Sequence, residues 1–189
     1  SRVELPMMFN LHHPLNLEVI GAEAQHDNMQ SAAYRVIWGF LRKCPASKVR
    51  FCIFDPKEGG GSVRMLSNFV NKMPDSYKRA VTQMSRTEEL LSCLKELEGQ
   101  TLDFIRDRPD YDDLLDYNAH NPRRTEAITL LMLYDFPLNA DARCLELLSS
   151  VMQKGNRCGI YVVLCRNTAV EVASSYDHID EKLAELEKK

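Results

Sequence analysis

A chain of 189 residues with 44% apolar and 27% charged residues is long enough for one substantial globular domain and too apolar to stay disordered. Its formal net charge of −3 supplies no global basic field, so any nucleic-acid contact must be local or depend on assembly into a ring. No apolar run approaches the roughly 20 residues of a membrane span, and the N-terminus lacks the charged-then-apolar layout of a secretory signal. The expectation is a cytoplasmic domain with no membrane insertion of its own, although a larger parent protein can still carry an anchor.

In chain order, residues 1–14 read as an N-terminal extension, and Leu17 to Gly21 as a first buried strand. After the octet Gly21 to Asn28, residues Met29 to Arg42 carry Ala33, Val36, Ile37, Phe40 and Leu41 at helical spacing and stop at Lys43-Cys44-Pro45. Val49 to Asp55 is a second strand. Glu58-Gly59-Gly60-Gly61-Ser62 is a flexible stretch, either a native loop tip or an engineered splice. Thr87 to Arg106 predicts a helix through Leu90, Leu91, Leu94, Leu97, Leu102 and Ile105, opened by Ser85-Arg86-Thr87-Glu88. Ala127 to Asp135 is a third strand. Asp141 to Lys154 is a helix with Leu145, Leu148 and Val151 inward and Gly155 as its stop. Gly159 to Cys165 is a fourth strand, and Asp180 to Lys189 has the pattern of a charged, solvated terminal helix. Strands alternating with helices predict an α/β fold with a mostly parallel, doubly wound sheet.

Six cysteines (Cys44, Cys52, Cys93, Cys144, Cys158, Cys165) sit at irregular spacing in apolar runs, with no CxxC pair, and read as reduced core residues. His12-His13 has no second ligand pair nearby, so no structural zinc site is expected.

The octet after the first strand sits where a phosphate-binding loop, G-x-x-x-x-G-K-[ST], would join strand to helix. Here it reads Gly21-Ala22-Glu23-Ala24-Gln25-His26-Asp27-Asn28. Asp27 replaces the lysine, Glu23 adds a second negative charge, and His26 replaces a glycine that permits a tight loop. Each close pair of like charges opposes a bound phosphate by roughly 1–4 kcal/mol.

The later segments give this position its meaning. Val49 to Lys57 ends in Asp55-Pro56-Lys57; a helix and Arg106 to Arg108 precede Leu115-Asp116-Tyr117-Asn118; Leu130 to Phe136 is an apolar strand ending in Asp135; Gly155-Asn156-Arg157-Cys158-Gly159 leads into the last strand. In this order, over about residues 15–168, the chain resembles the FtsK/SpoIIIE-type (FtsK-HerA class) P-loop ATPases, degenerate at the Walker motifs. The resemblance implies a RecA-like P-loop fold with helices on both faces of the sheet, and divides the chain into an extension (1–14), a P-loop-like domain (15–175) and a charged terminal helix (176–189).

The departures fall on the catalytic positions. Phe136 stands where active members carry a glutamate that polarises the attacking water, and Cys165-Arg166-Asn167 stands where they carry an Ala-Thr-Gln segment that senses the γ-phosphate. Gly21, Ala24, His26, Asp27, Asn28 and Asp135 are therefore the candidate residues of a degenerate nucleotide site with no catalytic residue, no metal and no resident cofactor; weakly held ATP with Mg2+ is the alternative. The implied role is a non-hydrolysing motor module of a larger DNA translocase or secretion-type ATPase, associating with itself or with other P-loop domains. The alternative is a DNA-binding subunit or a weakly ATP-binding translocase domain. Simpler readings stand beside these: Asp55-Pro56-Lys57 as a strand-ending turn, Asp135 as a strand-end acid, Tyr117-Asn118 as a helix end with left-handed Asn118, and Arg157 and Arg166 as surface residues.

Overall fold

The computed structural model describes residues 16–21, 26–56 and 70–167, with only the backbone for Glu18, Gly21, residues 26–30 and Asn167. The extension 1–14, Ala24, Lys57, the Glu58–Ser62 stretch and the terminal segment 176–189 lie outside the described residues.

The elements run β1 (Leu17–Gly21), α1 (His26–Lys43), β2 (Val49–Phe54), α2 (Asp75–Lys78), β3 (Val81–Met84), α3 (Thr87–Asp107), α4 (Leu114–His120), β4 (Ile128–Phe136), α5 (Ala142–Lys154) and β5 (Ile160–Asn167). The strands form one sheet in the order β1-β5-β4-β2-β3, and every pairing is parallel. Central strand β4 is buried along its whole length, as a parallel strand covered on both faces must be. One face packs Leu131, Leu133, Val162 and Leu164 against Leu90, Leu94 and Leu97 of α3 and Leu148 and Val151 of α5. The other packs Leu130, Met132 and Val163 against Ala33, Val36, Ile37 and Phe40 of α1 and Leu114 of α4. This is the expected RecA-like P-loop architecture, a mostly parallel sheet with helices on both faces. Among the described residues no helix is long and apolar enough to cross a membrane.

Several local expectations change. Strand β3 has no counterpart in the sequence reading, because Thr82 and Gln83 are exposed on the sheet edge and leave no apolar run to mark it. Helix α3 turns Cys93, Thr101 and Phe104 inward, while Leu102 is 51% exposed. Thr101 is tolerated there because its hydroxyl donates to the Leu97 carbonyl at 2.8 Å. Helix α3 starts at Thr87 as expected, but its capping acid lies one residue later than the motif predicts: Glu89, rather than Glu88, reaches back to accept the N–H groups of Ser85 (3.0 Å) and Arg86 (3.2 Å). Helix α5 does end at Lys154 with Gly155 as its cap, but not in a left-handed conformation: the φ of Gly155 is −62°, a 3-10 turn continues to Cys158, and Gly159 takes the left-handed conformation with φ 74°. All six cysteines are free thiols, four buried and two half-buried.

Candidate functional site

In open α/β sheets ligands bind beyond the carboxyl ends of the strands, where the crossover connections part. That edge is defined here by the register, which pairs Gly21 with Asn167, Phe136 with Arg166, and Phe54 with both Leu133 and Met84. It gathers the end of β1, Asp55 after β2, Asp135 on β4 and Arg166 on β5. Gly21 closes β1, and α1 begins at His26, three residues before the expected Met29, so His26, Asp27 and Asn28 already belong to its first turn. A strand thus ends and a helix begins within the octet, with residues 22–25 between them.

The end of β4 departs from regular pairing. A register shift lies between Leu133 and Phe136, and Asp135 adopts φ 49°. A bulge of this kind exchanges the faces of the residues beyond it. Leu131 and Leu133 point to the α3/α5 face, while Met132 and Tyr134 point to the α1 face. Regular alternation would send residue 136 to the α1 face. Instead Phe136, 1% exposed, joins Leu133, Phe54, Ala140 and Leu148 on the α3/α5 face. Pro137 to Ala140 then forms a tight turn, with the Leu138 N–H donating to the Asp135 carbonyl and the Ala140 N–H to the Pro137 carbonyl, both at 3.0 Å. Asn139 holds φ 57°, and its carbonyl accepts the Thr87 hydroxyl at 2.8 Å. The residue that follows the acid is therefore core, and the strand end is braced against the start of α3.

Two carboxylates remain at this edge. Asp55 is 6% exposed and its N–H donates to the Met84 carbonyl at 2.8 Å, so the residue does end a strand; Asp135 is fully buried. Tyr34 of α1 and Tyr134 of β4 lie within their field: burial first, and then Asp55 for Tyr34, raises the Tyr34 phenol. Burial also raises Tyr134, followed by Cys165, Asp135 and Asp55. Burial, and then Asp135, pushes the Cys165 thiol up to about 12. These are the neutral forms that buried phenols and thiols take. Tyr34 and Tyr134 carry no motif of their own. The legible signal was the run Pro137-Leu138-Asn139 directly after the strand, which marks a forced turn.

The remaining family-like residues sit at the opposite, amino end of the sheet. Gly159 lies against Leu114 and Ile128, where β4 and β5 begin. There the Arg108 guanidinium stacks 4.3 Å from the Tyr117 ring centre and pairs with Glu126, to which it donates at 3.0 Å. Asn118 donates to the Glu126 carbonyl (3.0 Å) and accepts the Glu126 N–H (2.8 Å), locking the chain that leads into β4. Asn118 lies within helix α4 and is not left-handed, contrary to the simple helix-end reading. Tyr111 packs edge-on against Tyr117, with ring centres 5.2 Å apart. Arg157 donates to the backbone carbonyls of Asp112 and Tyr111 at 3.3 and 3.4 Å. The fold thus brings Gly21, Asp27, Asn28 and Asp135 to one end, and Arg108, Tyr117, Asn118 and Arg157 to the other.

No protein-family profile matches the chain, and no curated protein matches it. The fold is that of the RecA-like P-loop ATPases, and solved FtsK/SpoIIIE-type ATPase domains share it. Thermomonospora curvata EccC (ATPases 2 and 3), in complex with a signal sequence peptide, is similar at 14% identity and a TM-score of 0.62, over 93% of this chain and 29% of that one. EssC (ATPases 2 and 3) from Geobacillus thermodenitrificans is similar at 13% identity and a TM-score of 0.61, over 89% of this chain and 30% of that one. The pCW3 conjugation coupling protein TcpA, solved with ATPγS, is similar at 12% identity and a TM-score of 0.61, over 84% of this chain and 44% of that one. The chain spans less than half the length of each of these structures, two of which hold more than one ATPase domain.

Proposed function

We propose that this chain is a non-hydrolysing FtsK/SpoIIIE-like motor module of a larger secretion-type ATPase or DNA translocase, serving assembly, regulation or substrate binding beside other P-loop domains. The observation that carries the reading is Phe136, buried in the core at the position after Asp135, where hydrolysis asks for a water-polarising carboxylate. Asp27 in place of the loop lysine, and Arg166-Asn167 after Cys165, support it from the sequence. A magnesium nucleotide needs a lysine for its outer phosphates and a hydroxyl for its metal, and this set of residues does not fit one.

The secretion-type arm draws support from the likeness to EccC, solved with a signal sequence peptide, and to EssC. Arg106 pairs with Asp103 and Asp107, Arg108 with Glu126, and Arg157 bonds backbone carbonyls, which leaves these arginines less available to a phosphate backbone. Partner domains and protein substrates are therefore favoured over DNA.

A thermal-shift scan with ATP and Mg2+, run beside a phosphate-release assay, tests the reading. No shift and no release are expected. A nucleotide-dependent stabilisation that disappears in Asp135→Ala would overturn it.

A further inference from the structure

The face of β2 that turns toward α3 carries one half of a thiol pair. Alternation along the strand sends Phe51 and Ile53 to the α1 side of the core and Cys52 and Phe54 to the α3/α5 side, so Arg50 shares the face of Cys52. Opposite them α3 turns Leu90, Cys93, Leu94 and Leu97 into the same core. The Arg50 guanidinium donates to Glu96 Oε1 at 2.9 Å, which fixes how strand and helix lie against each other. Helix α3 starts at the carboxyl edge, where Thr87 bonds Asn139, and therefore runs back along the sheet against the direction of β2. Two residues up the strand from Arg50 is a rise of about 6.6 Å, and three residues back along the helix from Glu96 is about 4.5 Å. Those steps bring Cys52 to Cys93, and the two thiols hydrogen-bond each other.

Cys52 has no exposed surface and Cys93 keeps 7%. The Arg50–Glu96 bridge beside them lies at the solvent boundary, and surface ion pairs of this sort open readily. The Cys93 thiol donates to Cys52 and holds it below the usual thiol range despite burial, with the Arg50 charge adding to the effect. The same bond, and then burial, holds Cys93 above that range. A thiolate with a neutral thiol against it lets one sulfur act as nucleophile and the other as its resolving partner. Among the described residues no group of three or more His, Cys, Asp and Glu side chains is placed to hold a metal, so the pair is better suited to a bond between its own sulfurs.

We propose that Cys52 and Cys93 form a modification site at which hydrogen peroxide converts the two thiols into an intrachain disulfide, tying β2 to α3. The Cys52 sulfur attacks one peroxide oxygen: the S–O bond forms, the O–O bond breaks, and the departing hydroxide becomes water on taking up the proton that Cys52 had given up. The Cys93 sulfur then displaces that oxygen: the S–S bond forms, the S–O bond breaks, and the Cys93 proton leaves in a second water. The two thiols together lose two electrons, and the peroxide is reduced to water. The bond joins the strand that leads to Asp55 to the helix whose Thr87 holds the turn after Asp135, a consequence independent of any nucleotide.

The test treats the reduced full chain with hydrogen peroxide, alkylates the remaining thiols in denaturant with iodoacetamide, and maps tryptic peptides by mass spectrometry. Peptide Phe51–Lys57 should appear joined to Thr87–Lys95, with loss of alkylation at Cys52 and Cys93, and dithiothreitol should undo the link. In Cys93→Ala, Cys52 should stop as a sulfenic acid that dimedone captures, while in Cys52→Ala, Cys93 should stay a free thiol. Where a variant fails to fold, the map of the unmutated chain decides by itself. Both peptides still singly alkylated after peroxide, in a chain whose far-UV circular dichroism is that of the untreated protein, overturn the proposal. So does either cysteine joined to Cys44, Cys144, Cys158 or Cys165 instead. Capture of Cys93 in Cys52→Ala, with none at Cys52 in Cys93→Ala, overturns the order of attack.

Discussion

The two ends of the sheet hold their family-like residues in opposite ways. At the amino end, Arg108, Tyr117, Asn118 and Arg157 bond to their own chain, through an ion pair, a stacked ring and backbone hydrogen bonds. At the carboxyl end the acids Asp55 and Asp135 are buried, and a bulge turns the residue after Asp135 into the core. The family-like residues at one end hold their own chain together, and the acids at the other end stand beside a phenylalanine of the core. Likeness to a motif is therefore a poor guide to what a residue does, and the position of each side chain relative to the core decides.

The sharpest way to break this comparison is Phe136→Glu. If position 136 belongs to the core, the change buries a carboxyl among Phe54, Leu133 and Leu148 and costs about 4 kcal/mol in urea denaturation at pH 7, with no gain of ATP hydrolysis. A stable variant that hydrolyses ATP would return residue 136 to the site.

At the amino end the corresponding strike is Gly159→Ala. The new Cβ would lie 2.4 Å from Leu114 Cδ2 on a backbone with φ 74°, so a loss of about 3 kcal/mol is expected in the same assay. A negligible loss would mean that Leu114 yields and that this end is less tightly packed than the other.

The smallest effect concerns the brace behind the carboxyl end. The Ser85 N–H first, then the Arg86 side chain and N–H, hold the Glu89 carboxyl well below its usual 4.5, at about 2. A depressed folded-state value means the contribution is whole above about 4.5 and fades as pH falls toward about 2. Glu89→Gln should therefore flatten the pH dependence of stability in that window while leaving the slope above it unchanged. An unchanged acid limb would show that this cap does not report on folding.

Much of this was legible along the chain. The strands β2, β4 and β5 are short apolar runs whose composition marks burial on both faces, and α1 and α5 show the period of a helix with one inward stripe; β1 reads as a buried strand too, but it lies at the sheet edge with Ile20 57% exposed. The octet from Gly21 to Asn28 lacks the lysine and hydroxyl of a phosphate loop, and the end of β1 and the start of α1 both fall within it. Edge strand β3 was not legible, since half its residues face water, and neither was the inward turn of Thr101, whose hydroxyl is satisfied within its own helix.

What the sequence alone determined is local: the period of each apolar run, the glycine and proline stops, and the chemical identity of the residues in the loop and after Asp135. Only the tertiary structure decided which of them meet. The parallel order β1-β5-β4-β2-β3 separates Asp135 from Tyr117 and Asn118 by the length of the sheet, and the bulge at Asp135 moves Phe136 from the face it would otherwise share with Tyr134. The physical reason is that alternation along a strand is a local rule, whereas a single inserted residue is tolerated only where the neighbouring strand and helices leave room for it, a property of packing that no stretch of sequence carries.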